Sequence, residues 1–157
     1  MVEFVDGKDR FTLHARQRLL APVSAVFPFF ADARNLEALT PPFLRFSIRS
    51  QGDIPMHEGA LIDYRIMLRG IPIPWRTRIA AWQPPHRFID EQLRGPYALW
   101  HHEHLFEAHG PETEVIDKVD YKVLGGKLIE RWLVRPDLQR IFAFRRTELT
   151  KRFGSRD

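Results

Sequence analysis

Gly95-Pro96-Tyr97-Ala98-Leu99-Trp100-His101-His102-Glu103-His104-Leu105-Phe106 is the stretch that decides how this chain folds. Its Gly-Pro opening is a turn signal, and the residues after it read as one long strand. Side chains alternate along a strand, so Trp100, His102, His104 and Phe106 share one face. Leu99, His101, Glu103 and Leu105 take the other. One face therefore carries two imidazoles flanked by two large aromatics. That suits the wall of a semi-polar pocket better than a dry core.

The neighbouring segments extend this wall. Arg94-Gly95-Pro96 reads as a short hairpin connection to a strand over His86 to Leu93, whose one face holds Phe88, Asp90 and Gln92. If Leu93 pairs with Tyr97, Asp90 lies opposite Trp100 and Phe88 opposite His102. After His109-Gly110-Pro111, residues Thr113, Val115, Asp117, Val119, Tyr121 and Val123 alternate against Glu114, Lys118, Asp120 and Lys122. The apolar company of Asp117 puts it on the buried face, near His102 or His104. Asp90, His102, His104 and Asp117 are thus expected to converge, with Tyr64 and Tyr121 further along the wall.

Before this region, Arg10 to Leu20 alternates as a half-buried strand with Phe11, Leu13, Ala15, Gln17 and Leu19 facing inward. Pro22 opens a short helix carrying Val23, Val26, Phe27 and Phe30, shortened or kinked by Pro28. A second short helix is expected over Leu36 to Leu39 with Asn35 as N-cap, ended by Pro41-Pro42. Strands are expected over Phe43 to Ser50, after Gly59 through Leu68, and from Ile73 through Ile79, with Gly70-Ile71-Pro72 as a turn. At the other end Leu128 to Val134 forms a helical turn or two. A longer helix begins at Pro136 and shows Leu138, Ile141, Phe142, Arg145, Leu149 and Phe153 on one face. Trp82 and Trp132 read as packing residues, and His14, His57, His86, His101 and His109 as loop or outward-facing histidines.

Composition narrows the function classes. The 157 residues are expected to form a single domain, 1–157, large enough for a proper core. Without cysteine, disulfides, thiolate metal sites and a cysteine nucleophile are excluded. The net charge is +4, but the arginines are scattered and do not interleave with aromatics, so a solvated basic surface is expected and no nucleic-acid partner. No apolar run approaches the ~20 residues that span a bilayer, and the first residues lack the pattern of a secretory signal. The expected location is the cytoplasm.

The expected architecture is α+β. One strand, two short helices and six strands on short connections lead to a long C-terminal helix. Short connections force antiparallel pairing. The only long helix must cover the buried face of the resulting seven-stranded, curved sheet. This order, with Pro22, Val26-Phe27, Asn35-Leu36, Thr40-Pro41-Pro42, Gly59, Ile62, Tyr64, Gly70, Pro72, Trp75, Thr77, Gly95-Pro96-Tyr97, the Trp100/His102/His104/Phe106 face, Asp117, Tyr121 and Ile141-Phe142 with Arg145, resembles the SRPBCC superfamily. That is the helix-grip fold of START lipid-transfer domains, plant pathogenesis-related allergens and polyketide cyclases. The resemblance is closest to bacterial ligand-binding SRPBCC domains, some of which are fused to epimerase-like domains. It implies a fold and a pocket between sheet and C-terminal helix, without a reaction to carry over.

The expected ligand-contacting residues are Tyr64, Trp75, Phe88, Asp90, Trp100, His102, His104, Phe106, Asp117, Tyr121, Phe142 and Arg145. The polar group among them supports three readings. It can be a self-satisfying network, because buried imidazoles and carboxylates need partners. It can bind the polar end of an apolar or amphipathic small molecule. It can also be a metal or acid–base site, with His102, His104 and Asp117 as the catalytic candidates. The preferred expectation is a binder of a small hydrophobic or amphipathic molecule, without metal or cofactor. The alternative is a cyclase- or dehydratase-type enzyme with a His–Asp pair as general acid and base. Arg145, on the apolar stripe of the last helix, is a candidate cation facing the pocket carboxylates.

Overall fold

In the computed structural model, which describes residues 1–156, the chain forms one antiparallel sheet of eight strands wrapped round a long C-terminal helix. The strands are β1 (Val2–Asp6), β2 (Phe11–Leu19), β3 (Ser47–Ile48), β4 (Leu61–Leu68), β5 (Ile71–Gln83), β6 (Arg87–Arg94), β7 (Leu99–His109) and β8 (Glu112–Lys122). Their order across the sheet is β1-β2-β8-β7-β6-β5-β4-β3. Helix α1 (Val23–Phe30) follows β2. Helix α2 (Gly126–Ile129), a widened π-type turn (Glu130–Val134) and α3 (Arg135–Phe153) run on from one another after β8.

The expected α+β helix-grip architecture holds, with corrections at four places. The sheet has eight strands, because Val2 and Phe4 pack against the inner face and pair β1 with β2 (Val2↔Ala15, Asp6↔Phe11). Five residues with two inward side chains are too short to stand out as alternation. The strand expected over Phe43 to Ser50 shrinks to Ser47–Ile48, since Pro42–Leu44 forms a 3-10 turn that drops Leu44 into the core. The second helix lies earlier than expected, as a 3-10 turn over Ala33–Leu36. Its cap is Asp32, whose carboxylate accepts from the Arg34 N–H, while Asn35 donates to the Phe29 carbonyl. The turn expected at Gly70-Ile71-Pro72 is the tighter Arg69-Gly70 pair, both with positive φ, and β5 starts at Ile71.

The register of the central hairpin differs by two residues. Asp90 pairs with His102 and Phe88 with His104. The cause is a longer connection: the Gln92 side chain bridges both the N–H and the carbonyl of Tyr97, and β7 begins only at Leu99. An even shift keeps every side chain on its face, so the inward set is unchanged.

Two apolar clusters hold helix to sheet. Leu19, Val26, Phe27, Phe30, Phe88, Phe106 and Leu149 form one; Phe11, Leu13, Val119, Tyr121, Leu138 and Phe142 form the other. Helix α3 buries Leu138, Phe142, Arg145 and Leu149 between them. Gln17, an inward-facing polar residue of β2, satisfies itself by donating to the Arg146 carbonyl and the Thr150 hydroxyl of α3.

Candidate ligand cavity and its charged end

Between the concave sheet, α1 and α3 lies a cavity of about 380 Å³. Strands β4 and β5 supply Ile62, Ile66, Trp75 and Ile79. The loops supply Leu39 and Leu44, and α3 supplies Ile141 and Phe142. These side chains alternate inward along the strands because the pleat allows nothing else. Trp75 is stacked on Tyr64 with ring centroids 5.6 Å apart, and meets Trp100 edge-on at 5.5 Å. Its indole N–H donates to the Thr77 hydroxyl at 3.1 Å, and the Tyr64 hydroxyl lies 3.3 Å from the same oxygen. Burial holds the Tyr64 hydroxyl far above the ordinary phenol range, so it stays protonated.

Asp32, Asn35, Thr40, Arg69 and Asp137 also line this chamber, but its buried ionisable residues gather in one place. Asp90 of β6, His102 and His104 of β7, Asp117 of β8 and Arg145 of α3 form one connected group. The two imidazoles lie one above the other, centroids 3.7 Å apart. His104 stands between two carboxylates: its Nε2 is 2.6 Å from Asp90 Oδ2 and its Nδ1 is 3.0 Å from Asp117 Oδ1. Nδ1 also faces Arg145 Nη2 at 3.4 Å, and the carboxylate at each nitrogen favours the protonated ring. Burial pushes the His104 proton off, but the bonds to Asp117 and Asp90 outweigh it and its pKa is raised. Phe88 stacks on the outer face of the ring, centroids 4.1 Å apart.

His102 behaves in the opposite way. Burial and the cationic neighbour His104 lower its pKa, against the pull of the two aspartates. Its Nε2 lies 2.9 Å from Asp117 Oδ1 and donates to it. Neutral and donating from Nε2, the ring keeps a lone pair on Nδ1. That atom is 3.7 Å from Asp90 Oδ2, beyond hydrogen-bond range, and His102 lines the cavity.

Asp117 Oδ1 also accepts from Arg145 Nη2 at 2.9 Å. Burial opposes the Asp117 charge, yet Arg145 and the two histidines hold its carboxyl well below the usual range. Asp90 is lowered likewise, burial being outweighed by His102 and His104. Two carboxylates are set against one guanidinium and the readily protonated His104, so opposite charges offset one another within the group. Mutual compensation is what permits five ionisable side chains to sit in an apolar interior. Arg145 additionally lies over the Phe30 ring at 5.0 Å.

Of the residues expected to contact a ligand, Tyr64, Trp75, Phe88, Asp90, Trp100, His102, His104, Phe142 and Arg145 line the cavity. Three lie elsewhere. Phe106 is inside the aromatic cluster with Phe27 and Phe30. Asp117 sits behind the two histidines, on the side away from the chamber. Tyr121, fully buried, donates to Glu130 at 2.6 Å beneath the π-type turn. Trp132, expected to pack, is 73% exposed. Glu130, only 1% exposed, is missing from the residues that the sequence pattern singles out. Its one signal is a lone carboxylate among Leu128, Ile129, Trp132 and Leu133. Asp90, His102 and His104 each offer one ligand atom, all within 4.8 Å of one another, so the trio could close on a metal ion. Doing so would displace a proton from His104 and leave Arg145 beside a second cation, which fits the hydrogen-bonded network less well.

Among the described residues no helix is long and apolar enough to cross a membrane. No protein-family profile matches the sequence, and no curated protein is significantly similar to it. Solved structures do share the fold. The Zhui aromatase/cyclase from Streptomyces sp. R1128 superposes with a TM-score of 0.69 at 14% identity, over 90% of this chain and 92% of that one. A protein from Arthrobacter aurescens gives 0.72 at 12% identity, over 95% and 91%. A major latex-like protein from Panax ginseng gives 0.68 at 9% identity, over 92% and 98%. The common element is the helix-grip fold, and this chain has that fold.

Proposed function

Taking the helix-grip fold as premise, we propose that the chain is a single-domain, cytoplasmic binder of a small apolar or amphipathic molecule. The ligand lies between the sheet and α3 with its polar end at Asp90 and His102. One observation carries this: a largely apolar chamber of about 380 Å³ with one connected group of buried ionisable side chains in its wall. The chamber is of the size that small-molecule sites have. Its polar end offers a carboxylate and an imidazole lone pair as acceptors, and Arg145 there carries an Nε–H without a partner among the described residues. It therefore suits a ligand that presents a hydroxyl, which can both donate and accept. A hydrophobic-ligand or cyclase role is also what the fold's occurrence in the Zhui aromatase/cyclase supports.

A second reading has its own observation. His102 is neutral, its Nε2 proton is held by Asp117, and its Nδ1 lone pair is free beside the chamber. That is the arrangement of an oriented general base. On this reading a polyketide-like substrate would be enolised or dehydrated by proton transfer, with Asp117 as the positioning residue.

Native mass spectrometry of the purified protein, followed by uptake of an environment-sensitive apolar dye, tests the binder. A co-purified molecule, or a fluorescence rise that Ile66→Trp diminishes by narrowing the chamber, is the expected result. A folded protein that carries nothing and takes up no dye would overturn both readings. Turnover of a substrate analogue that is lost in His102→Gln while dye uptake persists would select the enzyme.

A further inference from the structure

The connection between the sheet and α3 stands out of the fold. From Lys122 through Leu133 every residue but Val123 and Glu130 is exposed. Leu124, Leu128 and Trp132 are 72%, 72% and 73% exposed. Leu128 and Trp132 sit on consecutive helical turns, and Lys127 and Arg131 accompany them one residue earlier on each. Three large apolar side chains on one short segment are more than the scattered singles a soluble surface carries. The acids nearby are already engaged. Asp6 accepts from Arg135, Asp137 Oδ2 lies 3.3 Å from Arg69, and Glu130 is buried against Tyr121 and Arg135. What the segment shows to solvent is therefore apolar tips with cations beside them.

The same segment forms one lip of the cavity. Leu124, Ile129 and Leu133 line it, with Leu68 and Arg69 on the facing β4–β5 hairpin. A solute entering the chamber would pass this lip.

We propose that this lip docks the protein on an anionic phospholipid bilayer. Leu124, Leu128 and Trp132 enter the headgroup region, and Lys127 and Arg131 meet the phosphates. The chemistry matches an interfacial anchor: an indole suits the boundary between water and acyl chains, and flanking cations are drawn to anionic lipid. A second copy of the chain is a poorer occupant, because a two-fold contact here would set Lys127 and Arg131 against their own counterparts. Docking stands on the exposed segment alone. Only its purpose, loading the chamber from a membrane in which apolar molecules dissolve, rests on the proposed function.

The test is co-sedimentation of the intact protein with vesicles of phosphatidylcholine, with and without phosphatidylglycerol, at low and at physiological salt. Binding should require phosphatidylglycerol, weaken with salt, and fall about tenfold or more in Trp132→Asp. Lys127→Glu together with Arg131→Glu, both exposed, should give the same loss without touching an apolar residue. Equal thermal unfolding of the variants shows that folding is intact. Absence of binding at low salt, or binding that both variants retain, would overturn the proposal. So would a concentration-dependent dimer in sedimentation velocity that Trp132→Asp dissociates, since that would make a second copy the occupant. Vesicle binding by a protein that takes up no dye would keep the dock and discard the ligand reading.

Discussion

Two of the buried charged groups among the described residues form a natural pair for comparison, and only one of them borders the cavity. Under the π-type turn, Glu130 accepts from the Tyr121 hydroxyl at 2.6 Å and from Arg135 Nε and Nη2 at 2.8 and 3.0 Å. None of the three lines the cavity. In the second group Asp117 is as fully engaged, by His102, His104 and Arg145. Asp90 is not: its side chain keeps 19% of its exposure, one oxygen takes the His104 bond, and the other takes none from any described residue. His102 keeps a lone pair. Burial and charge are alike in the two places, so neither marks function. Hydrogen-bonding capacity left over at a cavity surface does. The first group is a clamp that fastens the helical segment to β8; the second is a clamp at Asp117 and a receptor at Asp90 and His102.

The sharpest way to break this contrast is to remove the shared anchor. Asp117→Asn leaves Arg145 and His104 as buried cations with Asp90 alone to balance them. A loss of about 3–5 kcal/mol in urea denaturation, with or without ligand, is expected. Glu130→Gln should cost somewhat less, about 2–3 kcal/mol, because Arg135 is partly exposed and keeps Asp6. If Glu130→Gln also abolished dye uptake at full folding, the clamp would be part of the site after all.

A paired comparison comes next. Tyr121→Phe removes one donor from Glu130 and should cost about 1–2 kcal/mol while dye uptake stays at the parent level. His102→Gln should cost about 1 kcal/mol in stability but reduce ligand affinity about tenfold, since the lone pair is what it removes. Equal effects of the two substitutions on binding would erase the distinction between clamp and receptor.

Much of this architecture is legible in the sequence, for a definite reason. Period-two alternation fixes the face of a strand, and Trp100 and Phe106 on β7, like Val115 and Val119 on β8, carry their polar neighbours His102, His104 and Asp117 inward with them. The convergence with Asp90 survives a register displaced by two residues, because an even slip preserves face. Depth is not legible. Parity places Asp117, Tyr121 and Phe106 on the inner face, but whether an inner side chain meets the chamber or its backing depends on where α3 lies. The π-type turn ahead of that helix covers Tyr121 through Glu130, while Asp90 stays at the cavity. The Glu130 clamp is hidden from a sequence reading because its partners, Tyr121 and Arg135, sit on opposite sides of a widened turn that no helical periodicity foretells. Trp132, expected as a packing residue, lies in the same widened turn and is exposed.

The smallest effect is the most diagnostic, because it separates the two groups by pH. His104 is held above its ordinary value of 6.5, so its contribution is complete below that pH and is lost as pH rises through the raised value. His102 is held below 6.5; its contribution is present above that pH and fades as pH falls toward the lowered value. Asp90 and Asp117 add to the acid side, being lowered from 3.8: their stabilisation is present above that value and is lost as pH drops through the depressed ones. The cavity group therefore gives a stability that declines on both sides of a plateau, with His104 setting the alkaline edge. In the Glu130 clamp, Tyr121 and Arg135 are both displaced upward from values already far above neutrality, so neither titrates in the neutral range. Thermal unfolding midpoints tracked from mildly acid to mildly alkaline buffer should fall on the alkaline side in the parent protein. They should lose that fall in His104→Gln and keep it in Tyr121→Phe. An alkaline fall that persists in His104→Gln would mean that the imidazolium between Asp90 and Asp117 is not the charged member of the group. The assignment of His102 as the neutral, receptive ring would fall with it.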